Sequence, residues 1–190
     1  MSAGSVSWGV DDPYTSAGAG RVMSVIKPNE TPGAWWGLTP VPLPIGHRFL
    51  GRNVAAHGLG FHAVSVKSAR DFAHTVLGDW GVPDTAGLLN EVRLIVSELV
   101  TNACRHAAPD PLTPETEWSI QLGLHRDGSH LTCMVFDPSR RVPQLGDHAG
   151  LEEGGRGLQL IESFSSDWGW QSLGGQGKVV WAALAMFERA

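Results

Sequence analysis

An α+β sandwich is the fold class that this sequence of 190 residues predicts. Apolar residues recur at helical spacing through its middle, and apolar segments of strand length follow, separated by turns that contain glycine. Because helices come first, strands follow and one further helix precedes the last strands, we expect the helices to cover one face of a mixed, mostly antiparallel sheet.

The first regular elements begin after residue 60. Residues 62–66 contain two valines and predict a short strand. Ser68 then caps a helix whose apolar residues recur three or four positions apart. Gly81 and Pro83 end this first helix.

A second, longer helix begins at a cap, Asp84 or Thr85, and runs to about Ala107 before Pro109 stops it. At about 100° per residue, its apolar residues form one arc, which we expect to face the core. The arc consists of Leu88, Val92, Ile95, Val96, Leu99 and Ala103.

Four strands and a third helix complete the pattern. Asp127-Gly128 is a strong hairpin signal and joins the first two of these strands. The predicted elements are strands at 118–124 and 131–137, a polar loop at 138–154, a helix at about 157–163, and strands at 167–173 and 179–187.

Composition excludes several classes of function. The formal net charge is -5, so a broad basic surface for direct contact with nucleic acid is not expected. No apolar run approaches the roughly 20 residues that span a bilayer, and the first residues lack the order of a signal peptide. Together with Cys104 and Cys133, which lie in apolar segments, this favours a cytoplasmic protein with no membrane partner.

Residues 1–60 are predicted to form a Gly/Pro-rich N-terminal extension or arm, and residues 61–190 the folded domain. Six of the 12 prolines lie in the first 60 residues, and proline and glycine disfavour long helices. Trp35 and Trp36 are compatible with an arm that docks on a partner. A poorly ordered extension is the simpler alternative.

Glu98 and Asn102 are the first candidates for chemistry. They lie four residues apart on the second helix, so both side chains stand on one face, at the border of the apolar arc. A half-buried acid and amide carry a desolvation cost unless something binds them, and a magnesium-bound nucleotide is one candidate. Hydrogen bonds to a neighbouring loop are the alternative.

Two further stretches have chemical potential. Asp137 ends an apolar strand, where it either accepts a hydrogen bond from the exocyclic amine of a base or caps the next turn. Gly154-Gly155-Arg156-Gly157-Leu158 opens the third helix. Glycines there let backbone amides approach phosphate oxygens, and Arg156 adds a full positive charge. A turn that needs positive φ angles is the alternative.

In their order, these stretches resemble the GHKL ATPase superfamily from about Ser68 to Phe187. Residues 98–107 match its N-box, and the strand-end aspartate and the Gly-x-Gly-Leu sequence follow in family order. Gly177-Lys178-Val179-Val180-Trp181 matches the last strand. The resemblance implies the Bergerat fold, ATP and Mg²⁺ as ligands, and a lid over the nucleotide at 138–154.

The resemblance also implies a role for each candidate residue. Glu98 resembles the general base, Asn102 the magnesium ligand, and Asp137 the partner of the adenine amine. The other nucleotide-binding residues that it implies, mostly on the phosphate side, are Gly155, Arg156, Gly157 and Leu158.

Two positions depart from the family pattern. The first glycine box usually reads Asp-x-Gly-x-Gly, whereas residues 137–141 read Asp-Pro-Ser-Arg-Arg, so we expect a stiffer start to the lid and a changed adenine contact. The last box often contains Gly-Thr, whereas this chain has Gly177-Lys178. The missing hydroxyl removes one hydrogen bond expected in the adenine site.

Within the superfamily, the chain resembles the small serine kinases that act as anti-sigma factors. A histidine kinase needs an upstream helical hairpin, which the Gly/Pro-rich residues 1–60 disfavour. The resemblance implies ATP-dependent phosphorylation of a serine or threonine on an anti-anti-sigma-type protein, with a sigma factor as a second partner. Homodimerisation through the sheet edge or the first helix fits the same class. The alternative is a non-catalytic or degenerate module that sequesters a transcription regulator.

Overall fold

The computed structural model describes residues 43–83, 87–107, 119–141, 143, 157–173 and 177–186. Within these ranges the chain forms three helices and six strands. In chain order they are β1 (Arg48–Leu50), β2 (Val54–Leu59), α1 (Ala63–Asp79), α2 (Leu88–His106), β3 (Ile120–Asp127), β4 (His130–Asp137), α3 (Gly157–Phe164), β5 (Asp167–Ser172) and β6 (Lys178–Ala185).

All six described strands belong to one sheet, in the order β1-β2-β3-β4-β6-β5. Every neighbouring pair in it is antiparallel, so the described part of the sheet is not mixed. The chain leaves β4, forms α3 and reaches the far edge as β5, and β6 then returns between β5 and β4. The predicted α+β sandwich of the Bergerat type is confirmed.

The main core lies between the helices and one face of the sheet. All six residues of the predicted arc on α2 are buried. Along β4, Leu131, Cys133 and Val135 point into this core, as the two-residue period of a strand requires. Met134 and Phe136 belong to a second apolar cluster and lie on the opposite face. Each fully buried aliphatic side chain contributes roughly 2 kcal/mol through its removal from water.

The strand predicted at residues 62–66 is wrong, because α1 begins at Ala63. His62 precedes the helix with an extended backbone, at φ -117° and ψ 152°. The buried positions of α1 start at Ser65 and recur at helical spacing. The two valines, Val64 and Val66, therefore belong to the first turn of this helix. Ser68, predicted as the cap, lies inside the helix, 2.9 Å from His57 Nε2.

The second helix ends where the sequence predicts. α2 runs to His106, and Ala107 N–H donates to the Ala103 carbonyl to close the last turn. At the other end, α2 begins after Gly87, whose φ of 83° is left-handed. The predicted caps, Asp84 and Thr85, lie outside the described residues.

β1 and β2 both lie before residue 60, the boundary predicted from the sequence, and both belong to the sheet. β2 pairs with β3 along its whole length, and all of its residues after Val54 are buried. Further upstream, the Leu43 N–H donates to Gln121 Oε1 at 2.8 Å. The run Ala-Ala-His-Gly in β2 contains little of the β-branched signal by which strands are recognised. Residues 1–42 lie outside the described part of the chain.

The later elements match the predicted ones within a few residues. β3 and β4 form the predicted hairpin: Asp127 pairs with His130, and Gly128 adopts a φ of 54° at the turn. Of the lid predicted at 138–154, the structure describes only 138–141 and 143. No described helix is both long and apolar enough to cross a membrane.

Candidate functional site

α2 places the candidate acid and amide together on one half-buried face. Glu98 and Asn102 are one helical turn apart, and both side chains are partly exposed. Leu99 and Ala103, the residues that follow them, are buried in the core and fix the rotation of the helix. The pair therefore borders the core without entering it.

The first residue of α3 lies directly against this pair. A Cβ atom at Gly157 would lie 2.8 Å from Glu98 Oε2 and 3.2 and 3.3 Å from Asn102 Oδ1 and Nδ2. Because Gly157 has no side chain, the N-terminal turn of α3 approaches the acid and the amide closely. The backbone N–H groups of this turn have no partner inside the helix and carry its partial positive charge.

The neighbouring candidates in this turn have different positions. Leu158 and Ile161 are buried and pack in the main core, which anchors α3. The side chain of Leu158, a residue predicted to bind nucleotide, is therefore part of the core. Gly155 and Arg156 lie outside the described residues.

Asp137, at the end of β4, is 2 % exposed and forms a buried ion pair. Lys178 Nζ donates to Asp137 Oδ1 at 2.7 Å and to the Ser139 carbonyl at 3.3 Å. Ser139 N–H donates to the same Oδ1 at 2.9 Å. Asp137 thus caps the turn that follows β4, which was the alternative to a base-binding role. The hydrogen bonds that Asp137 accepts from Lys178 and from Ser139 N–H both end on Oδ1.

Burial dominates the electrostatics of this aspartate. It raises the pKa of the Asp137 carboxyl above its usual value of 3.8, because a charge is disfavoured away from water. The bond from Lys178, its charge, and the bond from Ser139 N–H act in the opposite direction. His106, on the last turn of α2, also favours the ionised carboxylate through its charge.

Gly177 fixes the position of the ion pair. Its φ of 125° is a conformation that side chains disfavour, and a Cβ there would overlap the Asp137 carbonyl oxygen and lie 2.7 Å from Pro138 Cα. The backbone before β6 therefore presses against the end of β4. The residue after Gly177, Lys178, is the direct cross-strand partner of Asp137 in the pairing of β4 with β6.

The candidate residues thus form two groups along α2. The acid, the amide and Gly157 form one, which we term the phosphate half: Glu98, Asn102 and Gly157. The ion pair and its glycine form the other, which we term the base half: Asp137, Gly177 and Lys178. Both halves lie beside the same helix, because α2 carries Glu98 and Asn102 and also packs against β4, the strand that ends at Asp137.

One comparison with known proteins decides the family. The model of the histidine kinase-like ATPase domain matches residues 61–184, well over half of the chain. The chain belongs to this family. Its domain is therefore of the GHKL type and points to an ATP-binding regulatory function. A search of the curated proteins found no match.

The phosphate half of this GHKL domain fits a magnesium-bound nucleotide. Gly157 lets the N-terminal turn of α3 lie against Glu98 and Asn102, where a Cβ would come within 2.8 Å of Glu98 Oε2. Mg²⁺ prefers oxygen ligands and is commonly held by one or two side chains plus the phosphates, for which the Asn102 amide oxygen is suitable. Among the described residues, no group of three or more His, Cys, Asp or Glu side chains is arranged to hold a metal ion.

Lys178 is the site residue that sequence reasoning missed. The last glycine box was interpreted as the loss of a hydroxyl, whereas the structure shows an ammonium that contacts the candidate adenine partner, Asp137. The two residues are 41 positions apart and meet only because β6 lies beside β4. A buried lysine at the start of an apolar strand was the one available signal, since lysine is rarely buried unless it is paired.

Proposed function

We propose that this GHKL domain is an ATP-dependent serine/threonine protein kinase that phosphorylates an anti-anti-sigma-type protein. The observation that supports this most directly is the packing of Gly157 against Glu98 and Asn102. It puts a carboxylate and an oxygen ligand beside the N-terminus of a helix, which is where phosphate oxygens bind most readily. Phosphoryl transfer requires mainly such positioning and charge neutralisation.

Each residue has one role in this proposal. Asp137 accepts a hydrogen bond from the adenine amine, and Asn102 holds Mg²⁺, which neutralises charge on the phosphates when bound. Gly155, Arg156 and Gly157, with the amide of Leu158, hold the phosphate oxygens. Glu98 receives the proton of the attacking hydroxyl.

In the transfer step, the partner's serine or threonine oxygen forms a bond to the γ-phosphorus of ATP. The bond between that phosphorus and the β–γ bridging oxygen breaks, and ADP leaves with those electrons. The hydroxyl proton goes to a carboxylate oxygen of Glu98, so atoms and charge balance. Glu98 is half-buried at the border of the core, where a carboxylate is less shielded by water and its interactions are stronger.

The class of protein proposed as the partner depends on the amino-acid sequence of two motifs. Glu-Leu-Val-Thr-Asn-Ala at 98–103 and Gly-Arg-Gly-Leu at 155–158 resemble the small anti-sigma factor kinases. By the same resemblance, a sigma factor is a second protein partner, and the domain pairs with a second copy of itself. We place these partners in the cytoplasm.

The test measures transfer of labelled phosphate from ATP to purified anti-anti-sigma-type proteins, with Glu98→Gln as the critical variant. We expect its transfer rate to fall by roughly 100-fold or more, while calorimetry shows ATP affinity within a few-fold of the wild type. Glu91→Gln, two turns earlier on α2 and equally half-buried, is the matched control and should transfer normally.

The alternative outcomes separate the two functions. Equal transfer by the wild type and Glu98→Gln overturns the role of Glu98. ATP binding by the wild type without transfer to any of these proteins favours the module that sequesters its partner without phosphorylating it.

A further inference from the structure

The Asp137–Lys178 ion pair is the strongest departure of this chain from the expected pattern. Both side chains are nearly inaccessible, at 3 % and 6 % exposed. Removing two such charges from water is costly, and their attraction often does no more than compensate. A buried pair of this kind is therefore expected to contribute little net stability, which makes a role in binding worth considering.

We propose that Lys178 is a specificity-determining residue that binds the base of the nucleotide, together with Asp137. This inference depends on the ATP binding in the proposed function and adds to it the residue that replaces the missing hydroxyl. An ammonium group has three donors. Asp137 Oδ1 and the Ser139 carbonyl accept from Lys178 Nζ, and the proposal assigns the third donor to the base.

The pair matches the edge of adenine in the order of its polar groups. Adenine has an amine donor, N6, beside a ring-nitrogen acceptor, N1. Asp137 Oδ2 accepts from N6, because the contacts from Lys178 and Ser139 N–H both fall on Oδ1, and the Lys178 ammonium donates to N1. In the same register, a 6-oxo purine would place a carbonyl oxygen against the carboxylate, which is repulsive.

The backbone holds this donor and acceptor in place before any ligand arrives. Asp137 and Lys178 are direct partners across β4 and β6, and Gly177 brings the two strand ends into contact. The lysine side chain has little freedom left, since its ammonium has two protein acceptors. Such preorganisation raises affinity because little conformational entropy is lost on binding.

The test compares ATP with 1-deaza-ATP, in which a C–H group replaces N1, by titration calorimetry of the full chain in magnesium buffer. For the wild type, we expect 1-deaza-ATP to bind roughly tenfold or more weakly, the usual effect of losing a hydrogen bond from a charged donor. 7-Deaza-ATP is the ligand control and should bind like ATP, because the proposal gives N7 no partner.

Variants then assign the discrimination to Lys178. Lys178→Met should bind ATP and 1-deaza-ATP equally. Lys178→Gln, whose amide still donates, should keep an intermediate ratio, and it also serves if loss of the hydrogen bond to Asp137 prevents Lys178→Met from folding. Lys67→Met removes an exposed lysine on α1 and should discriminate like the wild type.

The outcomes distinguish this inference from the proposed function. If the wild type binds ATP and 1-deaza-ATP equally well, or if a folded Lys178→Met still discriminates between them, the role of Lys178 is overturned and ATP binding stands. If the wild type binds no ATP, both the proposed function and the role of Lys178 are overturned.

Discussion

Replacement of Gly157 by alanine tests the geometry of the phosphate half. The new Cβ would lie 2.8 Å from Glu98 Oε2, whereas ordinary van der Waals contact begins at 3.4 Å. The carboxylate must therefore move by at least about 0.6 Å. The Asn102 amide atoms, at 3.2 and 3.3 Å, need to move by only about 0.1 to 0.2 Å to reach the same contact distance. Glu98 therefore moves further than Asn102. It can do so because the atom in contact is the end of a flexible side chain.

The expected magnitude follows from which of these two side chains moves. A misplacement of about 1 Å in a catalytic group costs up to about 100-fold in rate, so for Gly157→Ala we expect transfer to fall by about tenfold to 100-fold. This is about 1.4 to 2.7 kcal/mol in the activation free energy. ATP affinity should change little, since Asn102 stays in place. Stability should stay within about 1 kcal/mol, because alanine favours the helix over glycine by roughly that amount.

The assay combines rates of phosphate transfer, calorimetry with ATP, and urea denaturation. Gly78→Ala is the matched control: this glycine also lies in a helix, α1, and nothing stands within 4 Å of its missing Cβ. It should gain roughly 0.5 to 1 kcal/mol of stability and transfer at the wild-type rate. A Gly157→Ala variant with normal transfer, or one that loses ATP affinity and transfer together, would refute the reasoning.

Two further predictions concern the base half. Gly177→Ala should lose several kcal/mol of stability, because its Cβ would overlap the Asp137 carbonyl oxygen. Gly128→Ala is the control: Gly128 has a φ of 54° and open space around it, so this variant should lose only about 1 kcal/mol. Equal urea midpoints for the two variants would contradict this. Burial raises the pKa of Asp137 in the fold, so the native chain binds that proton at higher pH than the unfolded chain does. The stability of the wild type minus that of Asp137→Asn should then increase as the pH falls from about 6 to 4, and denaturation midpoints that give a flat or decreasing difference would count against it.

The helical part of the fold could be predicted because its signal is local. The arc of α2 repeats within one segment, so Ile95 and Leu99 were placed in the core and Glu98 at its border from spacing alone. The start of α1 could not be predicted in the same way. Two valines in a short stretch fit a strand or a helix, and only packing against the core decides between them.

The sheet edge and the base half depend on contacts that no local pattern reveals. β2 is recognisable only once β3 lies beside it, since its alanines and glycine carry little strand signal. Asp137 was identified as a candidate from its place at a strand end. The contact of Asp137 with Lys178 could be predicted only from the strand order, in which β6 lies between β4 and β5.

The two halves of the site should therefore respond differently to substitution. In the base half, Asp137 helps to maintain a buried ion pair and is also the proposed acceptor for adenine, so a change at Lys178 or Asp137 affects folding and base recognition through the same carboxylate. In the phosphate half, Glu98 is half-buried and its end is free to move, so Gly157→Ala displaces it without breaking the core. Stability and nucleotide binding should change together for base-half variants, whereas phosphate transfer should change alone for Gly157→Ala.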